Sequence, residues 1–133
     1  MRQKGKVKNM DKPEKPKDIK ERTFAFALEV VRYTQKLDDR SGVCKILGRQ
    51  LLRSGTSVGA NVEEAQAGQS RADFNSKYAI ALKEARETIY WLRLLNESGL
   101  SPRQDCDVLL QEADEISRII GAIIVNSKRS QNE

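Results

Sequence analysis

Ser54, Ser57, Asn61 and Glu64 fall at i, i+3, i+7 and i+10 within a stretch reading RSGTSVGANVEEA. On a helix that spacing lines two hydroxyls, an amide and a carboxylate along one face. Such a face exchanges hydrogen bonds, and once buried it must find partners. A catalytic use would require a base to draw the proton from Ser57. The chain has no histidine, which removes the commonest general base, the commonest metal ligand and the physiological-pH switch together. Ser-His-Asp and Cys-His catalysis, His-bearing zinc sites and the Glu-x-x-His di-iron bundle are excluded with it. No spacing sets a carboxylate or lysine against Ser57, so no enzyme and no catalytic residue is expected. Three uses of the face stay open: a solvated surface, a ligand pocket, or a network within the bundle or between subunits. That network would join Arg53, Asn61 and Glu64 with Lys77 or Glu84.

The remaining candidate chemistry is sparse. Glu63 and Glu64 point about 100° apart on a helix, a poor geometry for sharing a metal or a proton. Glu84 and Glu87 share a face, but Lys77, Lys83 and Arg86 lie around them and favour ordinary surface pairs. Gly55 and Gly59 do not form a phosphate loop, because the GxxxxGK[ST] order and the preceding strand are missing. No metal and no cofactor is expected. Cys44 and Cys106 are too few and too far apart in sequence for a disulfide framework or metal knuckle, and read as small buried hydrophobes.

Charge separates into two parts. The 133 residues hold 24 Lys or Arg against 19 Asp or Glu, a net +5. Residues 1–17 contain seven basic and two acidic side chains and so carry the whole excess, leaving the other 116 residues neutral. This segment, with Lys4, Lys6, Lys8, Pro13 and Pro16, has almost nothing to bury and reads as a disordered basic arm. It serves either as a solubilising tail or as an electrostatic contact for a phosphate backbone. No apolar run approaches the roughly 18 residues that cross a bilayer, and no secretory signal is legible. A cytoplasmic protein is expected, with neither a membrane nor a small-molecule substrate as partner.

The elements that must carry these residues are helical. Asp18 and Glu21 form a capping box that opens a helix over 18–37. Its apolar residues make two stripes, Phe24/Leu28/Val31 and Phe26/Val30/Tyr33/Leu37, and two stripes imply two packing partners. A second helix spans about 43–67, with Leu47, Leu51, Gly55, Val58, Val62 and Ala65 inward and Gly68 after its end. Gly55 and Gly59 each cost about 1 kcal/mol relative to Ala, so a tertiary gain must outweigh them; they offer a flat groove for another backbone. Ser70 and Asp73 cap a third helix over about 71–97, and Ser101-Pro102 starts a fourth over about 102–127. Short connections between four such helices predict an all-α, antiparallel up-down-up-down four-helix bundle over residues 18–129, with 130–133 as a tail. On the third helix, Tyr90, Trp91 and Leu94 are left over once Ile89, Leu92 and Leu95 face inward. With Phe26 and Tyr33 of the first helix, they form the expected surface of a homo-oligomer.

Taken together, QLLRS at 50–54, SVGANVEE at 57–64, IALKEARET at 80–88 and YWLR at 90–93 resemble the bacterial four-helix-bundle proteins encoded in intervening sequences of 23S ribosomal RNA genes. A similar protein is the accessory subunit of diversity-generating retroelements. The likeness covers about residues 20–127, departing at Ala65, where many relatives place Gly. It implies a homopentameric ring without enzymatic activity that binds RNA or a nucleic-acid-processing partner. Arg49 and Arg53, one helical turn apart, together with Lys77 and the arm lysines Lys4, Lys6 and Lys8, are the expected contacts. Five modest basic patches on one ring would sum to a useful, salt-dependent field. The alternative is a protein-interaction adaptor that touches no nucleic acid.

Overall fold

The computed structural model describes residues 18–40 and 42–132; the basic arm expected at 1–17 lies outside them. Four helices follow one another, α1 (Ile19–Leu37), α2 (Gly42–Ala67), α3 (Arg71–Glu97) and α4 (Arg103–Asn132). Each packs on its neighbour in sequence, α1 closes on α4 by the thinnest of these contacts, and no diagonal pair brings its backbones close among the described residues. The fold is an all-α four-helix bundle. Cross-helix pairs run in opposite order, Ser54 with Thr88 and Gln66 with Tyr78, as antiparallel neighbours joined by short loops require.

Local chemistry accounts for most of the helix ends. The Asp18 carboxylate accepts the Glu21 N–H at 2.8 Å, and the Ser70 hydroxyl accepts that of Asp73 at 3.0 Å, each satisfying a donor that a helix N-terminus leaves orphaned. Past the end of α3, Gly99 turns the chain at φ 74°, a left-handed conformation open to a residue without Cβ. Two ends of α4 differ from expectation. It opens at Arg103, and the Ser101 hydroxyl, expected as its cap, is drawn inward to accept from the buried Tyr33 phenol. Its C-terminal end runs through Asn132 rather than stopping near 127, so residues 130–132 are helical. Ile123 and Ile124 still pack on the core there, and Arg71 of α3 donates to the Ser127 carbonyl at 3.2 Å.

The glycines of α2 meet α1. A Cβ on Gly55 would sit 3.0 Å from both Val30 methyls, and one on Gly59 would sit 3.2 Å from the Thr23 carbonyl oxygen. Gly48 faces Leu37 in the same way, at 3.3 Å. Leu37, Val30 and Thr23 thus descend α1 as Gly48, Gly55 and Gly59 ascend α2. This is the close approach that offsets the low helix propensity of the segment. Thr23 is fully buried, with its hydroxyl returned to the Ile19 carbonyl at 2.8 Å.

The core collects one stripe from each helix. On α1 that stripe is Phe26, Val30, Tyr33 and Leu37; on α2 Leu51, Val58 and Val62; on α3 Tyr78, Ala81, Ala85, Leu92 and Leu95; on α4 Leu109, Ala113, Ile116 and Ile120. This corrects the assignment of Phe26 and Tyr33 to a subunit surface. They are 3% and 5% exposed and packed inside their own chain, whereas Phe24 of the other stripe is 61% exposed. Both stripes were apolar enough to be buried, and only the register against α2 decides between them.

Candidate nucleic-acid interface

Where α2 lies along α3, the polar face of α2 divides by depth. Ser54 is fully buried with its hydroxyl 2.9 Å from that of Thr88, whose single proton is shared between Ser54 and the Glu84 carbonyl 2.8 Å away. Ser57 is half-buried and donates to the Arg53 carbonyl at 2.7 Å; Asn61 donates from its amide to the Ser57 carbonyl at 2.8 Å. Glu64 is exposed. These groups answer the helix's own carbonyls or one threonine of α3, so the face is largely satisfied within the bundle. Among the described residues Ser57 hydrogen-bonds only along its own helix, to Arg53 and Asn61.

Arg53 is the second element of this junction. Its guanidinium reaches across to Glu84 Oε1 at 3.4 Å and to Glu87, with Gln50 Oε1 3.4 Å away on its own helix. Glu87 also accepts from the Trp91 indole N–H at 3.0 Å. Arg53, Glu84, Glu87 and Trp91 therefore form one chain of charge-assisted contacts between α2 and α3. Of the intra-bundle network weighed for this face, Arg53 and Glu84 are paired, and Glu87 joins them where Asn61 and Glu64 were expected. It alters the role expected of Arg53, because a guanidinium facing two carboxylates presents little net charge to a phosphate. Arg49, one turn earlier, is exposed, and Lys77 is half-buried. Lys4, Lys6 and Lys8 lie outside the described residues.

Of the aromatic surface, Tyr90 and Leu94 remain outside, 54% and 37% exposed. Trp91 is half-buried against the core and meets the Tyr90 ring edge-on at 5.1 Å. The antiparallel register of α2 and α3 brings the exposed Val43 and Ile46 to the same end of this junction. A second exposed apolar strip, Phe24, Leu28 and Val31, runs along α1.

Two arrangements, one buried and one partly buried, have no counterpart in the sequence reading. Tyr33 hydrogen-bonds Ser101 and lies 3.0 Å from Cys106 Sγ, which itself points at the Leu92 carbonyl. Burial raises the Tyr33 phenol well above its ordinary range, reinforced by Cys106; burial likewise raises the Cys106 thiol against the opposing Tyr33 hydrogen bond. Between α1 and α4, Arg22 makes a two-pronged pair with Glu112 at 2.7 and 2.9 Å and also meets Glu115. The Glu112 hydrogen bond leads in raising the Arg22 pKa, so its charge is permanent. Partners some 90 positions apart leave no local signal, although Glu112 and Glu115 at i, i+3 do mark one acidic edge of α4. Among the described residues no cluster could hold a metal ion, and no helix is long and apolar enough to cross a membrane.

Comparison with known proteins agrees with this geometry. The crystal structure of a protein of unknown function from the S23 ribosomal protein family of Bacteroides thetaiotaomicron superposes with a TM-score of 0.73 at 38% identity. The match covers 80% of this chain and 97% of that one. Among curated proteins there is no match. The model of the 23S rRNA-intervening sequence proteins matches residues 15–122, most of the chain and all but the last turns of the bundle. With the four-helix fold and the α2 glycine seam in place, the chain belongs to the 23S rRNA-intervening sequence protein family.

Proposed function

We propose that this protein is a non-enzymatic, cytoplasmic homo-oligomer that binds structured RNA through backbone-directed basic contacts. Family membership carries the proposal, since the family takes its name from the intervening sequences of 23S rRNA. Two features support it. Tyr90 and Leu94, with Val43 and Ile46 at the same end, leave an apolar surface suited to a second copy. The net charge of +5 resides wholly in residues 1–17, so each copy that joins an assembly adds one arm to a common field.

Lys4, Lys6, Lys8, Arg49 and Lys77 are the contacts in this proposal, and Arg53 acts through its carboxylate partners as a brace between α2 and α3. A pentamer is the count that the sequence resemblance implies. Binding is measured for the full chain and for a chain lacking residues 1–17 over a salt series. The full chain should bind at low salt and weaken linearly in log–log form as salt rises, and removal of the arm should flatten that slope. Absence of binding by the full chain at low salt would overturn the proposal.

A second reading has its own observation. Because Arg53 is held by Glu84 and Glu87, one of the three cations expected on the α2–α3 face is turned to the bundle's own carboxylates, which suits a protein-interaction adaptor. Co-purification with a partner that survives nuclease treatment would favour it.

A further inference from the structure

The first helix is the shortest of the four, and its Lys20–Glu63 ion pair at 3.7 Å sets its start level with the penultimate turn of α2. The end of α2, the beginning of α3 and the last turns of α4 continue past that level. Between them opens a cleft of about 660 Å³ to which no described residue of α1 contributes. That volume lies within the roughly 300–1,000 Å³ of ordinary ligand pockets.

The lining has a particular chemistry. Phe74 forms one wall, half-buried and tilted on Tyr78 with ring centroids 4.7 Å apart. Gln66, Gln69 and Asn126 bring amides, each offering a donor and an acceptor. Gln66 gives one N–H to the Tyr78 hydroxyl at 2.8 Å and keeps its carbonyl oxygen. Arg71 stands at the rim, donating to Ser127 while forming no ion pair with a described carboxylate. An aromatic wall, paired donor–acceptor edges and an unopposed guanidinium match a base with its phosphate. Too few apolar side chains line the cleft to receive an amphipathic helix.

We propose that this cleft holds one unpaired nucleotide of a structured RNA, its base stacked on Phe74, its edge hydrogen-bonded by Gln69 and Asn126, and its phosphate held by Arg71. The proposal rests on the RNA reading above and adds to it a site that distinguishes bulged from fully paired RNA.

The test uses the full chain and two hairpins, one carrying a single bulged 2-aminopurine and one fully paired. The bulged hairpin should bind about tenfold more tightly, within the range of one base stacked on an aromatic side chain, with its fluorescence quenched on binding. Phe74→Leu should remove both the preference and the quenching, and Arg71→Gln should weaken the bulged hairpin selectively. Both variants should keep wild-type helicity and affinity for the paired hairpin. Equal affinity for the two hairpins with an unquenched base, or a preference that survives Phe74→Leu, would overturn the cleft and leave RNA binding standing. Failure of wild-type protein to bind either hairpin at low salt would overturn the RNA reading and this proposal together.

Discussion

Helix α1 is held on its two sides by opposite devices. Toward α2, three glycines remove side chains so that Leu37, Val30 and the Thr23 backbone settle against a bare helix surface. Toward α4 the contact is the thinnest in the bundle, and its ends are joined by long side chains, Arg22 to Glu112 and Glu115 near one end and Tyr33 to Ser101 and Cys106 near the other. A seam of small residues has little room for added atoms, least at Gly59, where the neighbour is main chain. A seam of polar clasps tolerates change in volume but depends on charge and protonation. The unusual residues of α2 are thus accounted for by packing, and what the protein recognises is sought on its outer faces and its arm.

The largest effect expected from this contrast follows from filling the glycine seam. Gly59→Leu drives a Cβ to 3.2 Å from the Thr23 carbonyl oxygen, and overpacking of this kind should cost roughly 3 kcal/mol, read as a lower denaturation midpoint. Next comes Tyr33→Phe, which strips Ser101 and Cys106 of a buried partner at a cost of about 1–2 kcal/mol.

The same clasp has a pH signature. In the folded chain Tyr33 and Cys106 hold their protons above the ordinary values of 10.0 and 9.0, at which the unfolded chain releases them. Their contribution is therefore complete below pH 9.0 and declines as pH rises beyond it. Unfolding midpoints measured from neutral pH upward should show that fall, and Tyr33→Phe should make it shallower.

Arg22→Met should cost about 1 kcal/mol, because the side chain is a quarter exposed and its pairs are partly screened; the loss should shrink in high salt, unlike that of Gly59→Leu. The smallest change should be a gain. Gly121 has open space where a Cβ would lie, so Gly121→Ala should stabilise the chain by up to about 1 kcal/mol, the reverse of substitution at Gly59.

How much of this could be read in the residues follows the range of the interactions. Four helices were legible because the 3.6-residue periodicity and the Asp18 and Ser70 caps are local. That Gly55 and Gly59 would receive a close neighbour was legible too, as two glycines in mid-helix call for a compensating contact; the expected backbone meets Gly59, whereas Gly55 receives the Val30 methyls. Which stripe of α1 faces inward was not: Phe24/Leu28/Val31 and Phe26/Val30/Tyr33 are equally apolar, and the choice belongs to the register with α2. Arg53 shows the same limit. One turn from Arg49 it resembles half of a basic patch, and only the packing of α3 reveals Glu84 and Glu87 opposite its guanidinium. The cleft at the α2–α3 corner arises from unequal helix lengths, and its lining comes from three helices.

In the proposed function a weak charge per chain is multiplied by assembly, so the mass of the particle in solution tests that proposal most directly. Light scattering of the full chain at micromolar concentration should give a multiple of 15.0 kDa, with five copies as the count that the resemblance implies. It should fall toward a single chain when Tyr90 and Leu94 are replaced by charged residues. A wild-type mass of 15.0 kDa under those conditions would contradict the account.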